Sequence, residues 1–156
     1  ASGEVNLAER FFTHLASRLD PEALANLGAA IEALGSPHLQ VMMGKAAAKR
    51  GLSVPAPDFA LHPMQDLDLQ VPIELALAIA SRESEFDTYV PSGAGAMGLM
   101  QLMPATAAEM ANALSESDHS RARLYADWSY NARLGAAYLA RMARLFDGNI
   151  VMMSAA

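Results

Sequence analysis

Apolar residues recur every three or four positions along most of the chain, which is the spacing of one face of an α-helix. The first such face consists of Leu7, Phe11, Leu15 and Leu19. Two further helices are predicted from their capping residues. Asp20 opens one and Ser36 opens the next, each directly before a proline at the first helical position, and a glycine follows each helix. Residues 4–51 are therefore predicted to form three short helices joined by short turns.

The rest of the chain shows the same periodicity in longer stretches. One helix is predicted from Pro72 through "IELALAIASRESEF", one from Pro104, and one over residues 128–146. The polar stretch before the last of these predicts a loop with one helical turn, and "IVMMSAA" predicts the start of a further helix. No window alternates apolar and polar residues with the period of a half-buried strand. The chain is therefore predicted to be all-α.

Residues 52–70, "LSVPAPDFALHPMQDLDLQ", interrupt this regularity. They contain three prolines and follow no period, which is typical of a linker or an extended connection. We therefore predict two parts: a helical region with its linker over residues 1–59, and a domain over residues 60–156. The helices of the first part have the character of a fragment of a helical-pair array.

Composition excludes several classes of function. Of the 156 residues 53% are hydrophobic, which is enough for a sizeable core, yet no apolar run approaches the roughly 18 residues of a membrane span. A net charge of −6, from 11 basic and 17 acidic residues, disfavours nucleic acid as a partner. There is no cysteine, the four histidines are scattered and no phosphate-loop spacing occurs, so neither a metal nor a cofactor is expected. No signal-peptide pattern is present in the first residues.

Three acidic residues lie at the end of the helix that contains "IELALAIA". Leu75, Ile79 and Glu83 are spaced i, i+4 and i+8, which places Glu83 on the apolar face in the last turn. Desolvation and the helix dipole would raise its pKa there, as a general acid near neutral pH requires. Glu85 is predicted on the solvated side of the helix, and Asp87 lies past its end. The alternative is an ordinary helix-end glutamate whose carboxylate reaches water.

The stretch "SGAGAMGLMQLMP" is too rich in glycine for a stable helix and too apolar for an ordinary loop. Small residues allow a backbone to come close to a ligand or to another backbone. Gln101 offers a hydrogen-bond donor and an acceptor. Three methionines, Met97, Met100 and Met103, offer adaptable apolar surface. Such a wall suits a sugar, which is polar at its edge and apolar on its faces; the alternative is a tight turn between helices with the methionines in the core.

The stretch "RESEFDTYVPSGAGAMGLMQLMPATA" resembles the signature of the soluble lytic transglycosylases of bacteria, whose catalytic domain is goose-lysozyme-like. The matching positions are Glu83, Ser84, Phe86, Ser92, Gly95, Ala96, Gly98, Leu99, Met100, Gln101, Met103, Pro104 and Thr106. A second block is similar to the family's Asn–x–x–x–Gly–x–x–Tyr–Leu helix, at Asn131, Gly135, Tyr138 and Leu139. The resemblance covers about residues 60–156, and the preceding helices resemble the end of the α-superhelical region of long family members.

The resemblance implies a lyase acting on peptidoglycan, with Glu83 as the catalytic acid. Glu83 would protonate the oxygen between N-acetylmuramic acid and N-acetylglucosamine and then accept the proton of the sugar's own C6 hydroxyl. The product would be a 1,6-anhydro sugar, formed without water or a cofactor. The residues expected to line the substrate groove are Ser92, Gln101, Met103, Met100 and Met97. A periplasmic location is implied too, with cell-wall or secretion-machinery proteins as candidate partners.

Two other functions stay open. A muramidase or chitinase on the same fold would use a second carboxylate about 5–9 Å from the first, and Asp87 is the nearest candidate. The other is a helical fragment that binds peptidoglycan or a partner protein without cleaving it. Family members continue with an Ala–Tyr–Asn–Ala–Gly motif where this chain reads "SAA" and stops. We therefore expect a truncated catalytic domain whose groove is incomplete, and little turnover by the 156-residue chain itself.

Overall fold

The structure is a computed structural model that describes residues 2–54, 60–90, 92–149 and 152. The regular secondary structure of these residues is helical. Within these residues the extended pairing is limited to one isolated antiparallel bridge, between Met97 and Leu102. The predicted all-α fold is confirmed. None of the helices in this part of the chain is long and apolar enough to span a bilayer.

The chain divides into two compact units, Ala1–His62 and Pro63–Ala156. The identification of residues 1–59 as the end of a superhelical region, and of residues 60–156 as a catalytic domain, stays a prediction. Residues 55–59 of the predicted linker lie outside the described residues. The helical run predicted from Ile150 lies outside them too, except for Met152.

In the part of the first unit that the structure describes, the helices are α1 (Ser2–Ala16), α2 (Pro21–Ala33) and α3 (Pro37–Ala48). Both predicted caps are present. The Asp20 carboxylate accepts the Ala23 N–H at 2.8 Å, and the Ser36 hydroxyl caps α3 in the same way. The core of this unit is apolar and comprises Ala16, Leu24, Ile31, Leu39, Met43, Ala47 and Val54.

Along its described residues the second unit has a 3₁₀ turn (Pro63–Asp66), followed by the helices α4 (Ile73–Glu83), α5 (Pro104–Ala113), α6 (Arg121–Ala126) and α7 (Trp128–Leu145). The helices α4, α5 and α6 each contact α7, which is the longest of them and carries ten buried positions. Asp127 begins α7 by accepting the Tyr130 N–H at 2.9 Å. The α7 helix is therefore the platform against which the rest of this unit packs.

The α4 helix ends earlier than the sequence predicts. It stops at Glu83, and both Glu85 and Phe86 adopt left-handed backbone conformations, with φ of 53° and 62°. The prediction that Glu85 continues the helix on its solvated side is therefore wrong, because Glu85 is half-buried in the turn after the helix. Ser84 directs its hydroxyl to the Leu99 carbonyl at 2.7 Å. A tertiary hydrogen bond thus holds the point where the chain leaves the helix.

Candidate functional site

A cleft of about 280 Å³ opens on the second unit. It lies between the end of α4, the stretch "SGAGAMGLMQLMP" that is rich in glycine and methionine, and the helices α5 and α7. The lining residues are Ile79, Glu83, Met100, Gln101, Leu102, Met103, Thr106, Gly135, Tyr138 and Leu139. Most of this wall is apolar. Polar groups are contributed by Glu83, Gln101, Thr106 and Tyr138, which gives a few hydrogen-bonding groups on an apolar surface. Such a surface is typical of a ligand site.

Glu83 is the last residue of α4 and its side chain is exposed. The sequence predicted instead a desolvated carboxyl on the buried face of the helix. The deeply buried positions here are Ala76 and Ala80 of α4 and Ser84 directly after it, whereas Glu83 is exposed. The burial that the sequence predicted for this carboxyl is therefore absent, although Glu83 does reach the cleft.

Residues 97–102 form a tight loop, the Gly-Met loop, that carries Gln101 into the cleft. Met97 and Leu102 exchange two backbone hydrogen bonds, of 2.9 and 3.1 Å, and so close the loop. Within it, Gln101 adopts a left-handed conformation with φ of 47°, and its side-chain amide donates to the Gly98 carbonyl at 3.0 Å. This internal hydrogen bond restrains the Gln101 side chain before any ligand arrives.

Two glycines allow this loop to lie close to its surroundings. Gly98 has a φ of 74°, and a Cβ atom there would overlap the Leu124 carbonyl and the Asn131 side chain. Gly135 of α7 faces Met100, and a Cβ atom there would lie 2.7 Å from the Met100 Cγ. The glycines of this site therefore serve contact between parts of the protein, which is one of the two roles that the sequence predicted for the small residues.

An ionic cluster stabilises α6 and the beginning of α7. The Arg123 guanidinium lies 3.8 Å from the centre of the Tyr130 ring. It also pairs with three carboxylates, those of Glu116, Asp118 and Asp127. Burial opposes the charge of Asp127, but hydrogen bonds from the Tyr130 N–H, the Ser129 hydroxyl and Arg123 hold the pKa of this carboxyl below its usual value. Burial also raises the pKa of Tyr130.

No three His, Asp or Glu side chains among the described residues lie close enough together to hold a metal ion. The polar groups that line the cleft are a carboxylate, an amide and two hydroxyls. Residues 63–156, the whole of the second unit, match the family described as "Transglycosylase SLT domain".

The chain belongs to the SLT domain family.

The SLT domain is also similar to curated proteins. It is 36% identical over 87 residues to the soluble lytic murein transglycosylase of Escherichia coli K12, an alignment that covers 56% of this chain and 14% of that protein. The matched region is therefore a small part of this relative's length.

Two solved structures extend the likeness over almost the whole chain. The 70-kDa soluble lytic transglycosylase of Escherichia coli matches with a TM-score of 0.80 and 26% identity, over 96% of this chain and 25% of that one. An inactive Glu-to-Gln mutant of the lytic transglycosylase Slt of Pseudomonas aeruginosa matches with a TM-score of 0.72 and 29% identity, over 99% of this chain and 25% of that one.

The cleft of the SLT domain brings together four of the predicted site residues: Glu83, Met100, Gln101 and Met103. Met97 and Ser92 do not line it. Met97 is buried in the bridge with Leu102, and the Ser92 hydroxyl accepts the Ala94 N–H at 3.3 Å. A role of these two residues in the substrate groove stays a prediction.

Asp87, the candidate second carboxylate, does not line the cleft. Its side chain accepts the Tyr89 N–H at 2.9 Å, within the loop that follows α4. This carboxylate therefore has a local role in shaping the loop.

Several lining residues were given no role by the sequence reasoning. Tyr138 and Leu139 were matched as family positions, and Thr106 ended the first motif, but none was placed in the groove. Tyr138 follows Gly135 by three positions on α7, so the two lie on one face of the helix. The helical spacing could have indicated this face, whereas its position beside the Gly-Met loop is a tertiary contact that spacing does not reveal.

Proposed function

We propose that this SLT domain cleaves the β-1,4 bond between N-acetylmuramic acid and N-acetylglucosamine in peptidoglycan and leaves a 1,6-anhydro ring on the muramic acid. The observation that carries the proposal is the place of Glu83. Among the described residues that line the cleft, it is the one that bears a carboxylate. The names of the relatives support the choice of substrate, since both are lytic transglycosylases and the curated one is named for murein.

The reaction needs one group that first gives and then takes a proton. The protonated Glu83 carboxyl donates its proton to the glycosidic oxygen, and the bond from this oxygen to the anomeric carbon breaks. The N-acetyl group of the same sugar supports the positive charge that develops. The Glu83 carboxylate then accepts the proton of the C6 hydroxyl, whose oxygen bonds to the anomeric carbon. Water is neither added nor released, and Glu83 returns to its protonated state.

The rest of the cleft fits the binding of a sugar. Met103 is 45% exposed and provides mobile apolar surface at its edge, suited to the face of a pyranose ring. The Gln101 side chain is restrained through its amide nitrogen, so its carbonyl oxygen can accept a hydroxyl or amide proton of the substrate. Pre-ordered groups of this kind reduce the entropy lost on binding.

An inactive Glu-to-Gln mutant of the Pseudomonas aeruginosa relative is in line with dependence on a single glutamate. In this chain we assign the corresponding dependence to Glu83. The location proposed for the activity is the periplasm, because peptidoglycan, the substrate named by the relatives, lies there.

A second candidate is hydrolysis of the same bond. One observation favours it: the Glu83 side chain is exposed, so a water molecule can reach the carboxylate. Hydrolysis through two carboxylates has less support, because Asp87 is engaged with the Tyr89 N–H and does not line the cleft. The two candidates differ in their products and are separated by mass.

The test is a digest of purified peptidoglycan, made with the 156-residue chain and with the longest natural version of the protein, followed by mass spectrometry. From the longest natural version we expect fragments that end in 1,6-anhydro-N-acetylmuramic acid, each one water lighter than the product of hydrolysis, and from the 156-residue chain little turnover. Reducing ends throughout would replace the proposal by a muramidase. Binding of the glycan by both versions, with no fragments released by either, would favour a binding module.

A further inference from the structure

One peptide unit of the Gly-Met loop is held from two sides. The carbonyl of the Leu99–Met100 peptide accepts the Ser84 hydroxyl at 2.7 Å, and the N–H of the same peptide donates to the Asn131 side-chain oxygen at 2.8 Å. Ser84 directly follows Glu83 at the end of α4, and Asn131 lies in the first turn of α7. A single rigid peptide plane of the Gly-Met loop is thus bound both to the end of α4, next to Glu83, and to α7.

The surroundings of this peptide make both hydrogen bonds important. Leu99 and Asn131 are completely buried, Ser84 is 3% exposed and Met100 is 5% exposed. Water therefore cannot replace either partner, and a buried polar group without a partner costs about 1–3 kcal/mol. The Ser84 hydroxyl lies within hydrogen-bonding distance of two carbonyls, those of Leu99 at 2.7 Å and Ala80 at 3.1 Å. The contact with Leu99 is the shorter one, and it is the one that links Ser84 to the loop.

The Asn131 side chain makes three hydrogen bonds, two with the loop and one with α6. Besides accepting from Met100, its side-chain nitrogen donates to the carbonyls of Met97 at 2.9 Å and Leu124 at 3.2 Å. The missing Cβ of Gly98 leaves the space that this amide occupies. One turn further along α7, Gly135 leaves space for the Met100 side chain. The same face of α7 thus receives both the backbone and a side chain of the loop.

We propose that Ser84 and Asn131 are positioning residues that fix the Glu83 carboxyl relative to Gln101 and Met100. Neither residue lines the cleft, so each acts through the peptide that both of them hold. This inference rests on the proposed function, since it gives the two residues a part in the same reaction. A carboxyl that must reach two different oxygen atoms in succession is sensitive to small displacements, and an error of about 1 Å can cost on the order of a hundredfold in rate.

The decisive variant is Ser84→Ala, with Ser81→Ala as the matched control. Ser81 belongs to the same helix and does not line the cleft. Turnover of the longest natural version of the protein, which serves as the parent, is measured on soluble, uncrosslinked glycan strands at a temperature where circular dichroism shows both variants fully folded. We expect Ser84→Ala to lower kcat by about 10- to 100-fold while KM changes less than about twofold, because every group that contacts the substrate is retained.

A role in stability alone would leave kcat of the folded variant unchanged, so a kcat within twofold of the Ser81→Ala control would overturn the proposal. A parallel measurement does not depend on activity: amide hydrogen exchange followed by nuclear magnetic resonance. We expect the Met100 N–H to exchange faster in Ser84→Ala, while amides inside α7 stay protected as in the control. If the parent protein proved inactive, the proposed function would fail. Separately, an unchanged exchange rate of the Met100 N–H in Ser84→Ala would refute the claim that Ser84 restrains the loop.

Discussion

Gly95 and Gly98 are both left-handed, with φ of 86° and 74°, but they differ in their surroundings. A Cβ atom at Gly95 would meet nothing within 4 Å, whereas at Gly98 it would overlap Leu124 and Asn131. The glycine-rich composition predicted a close approach somewhere in this stretch. It could not single out Gly98, because the crowding groups come from α6 and α7.

The pair gives a direct comparison of strain with crowding. We expect Gly98→Ala to lower the free energy of unfolding by about 3 kcal/mol or more, from the left-handed backbone and the overlap together. Gly95→Ala should cost about 1 kcal/mol, from the backbone alone. Urea unfolding of the two variants measures the difference. Equal losses would mean that the loop can move away from Asn131 without cost.

Glu83 illustrates how nearly alike two faces of one helix can be in a sequence. The row Leu75, Ile79 and Glu83 has the larger apolar side chains, so hydrophobicity favoured it as the buried face. Alanines, however, allow closer packing, and the row that begins with Ala76 and Ala80 is the one completely buried. The family motif identified Glu83 in spite of this, but the predicted burial of its carboxyl was wrong.

At the scale of helices, the sequence predicted the helix ends that depend on local capping residues. It did not predict the end of α4, which depends on a tertiary contact. Asp20 and Ser36 cap their helices through their own neighbours. The end of α4 depends on a hydrogen bond from Ser84 to Leu99, and on two left-handed residues that follow. No local pattern encodes this turn, since "SEF" is compatible with a helix.

The α6 helix is short, with six residues, and depends on its ionic contacts. We expect Arg123→Leu to lower the urea midpoint of unfolding, because it leaves three carboxylates without their shared cation. Arg121→Leu on the same helix, at an exposed position, is the control and should change the midpoint little. The difference should shrink in about 1 M salt, where screening is strong. A difference that does not respond to salt would assign the effect to packing on Tyr130 instead.

At the scale of the whole molecule, the division of the chain falls where the prolines and the absence of periodicity indicated an interruption. His62, the last residue of the first unit, is 7% exposed. Burial lowers its pKa to about 4, so it is neutral in the folded protein at pH values where an unfolded chain would protonate it. Nothing in the sequence distinguished this histidine from the other three, because burial is a property of the folded chain.

The consequence is a loss of stability on acidification. Between its ordinary pKa and about 4, the unfolded state binds a proton at His62 that the folded state does not bind, so stability falls as pH falls through this window. From pH 7 to pH 5 the contribution of His62 is about 1–2 kcal/mol. Replacement by glutamine, His62→Gln, should remove this part of the pH dependence, and His14→Gln, at an exposed site, should keep it. Urea unfolding at the two pH values measures the effect, and equal slopes in all three proteins would contradict it.

The fold class could be predicted because helical periodicity and capping are local features of the sequence. The candidate acid, Glu83, could be predicted because it occupies a defined position in a motif with fixed spacing. The assembly of the cleft could not, since it depends on contacts distant in sequence. Asn131 reaches Met97 and Met100, and Gly135 makes room for Met100. Asn131, Gly135 and Met100 were visible as motif positions, but the contacts between them were not.

The central claim is that Glu83 forms an anhydro sugar from peptidoglycan in this cleft. It is tested most directly by the quantity of 1,6-anhydro-ended fragments that Glu83→Gln releases in the longest natural version of the protein, with Glu85→Gln as the matched control. The glutamine keeps the shape of the side chain and removes its ability to exchange a proton. We expect Glu83→Gln to release no such fragments and Glu85→Gln to release most of the parent amount. Release by Glu83→Gln at the level of the parent, or its loss in Glu85→Gln alone, would contradict the assignment.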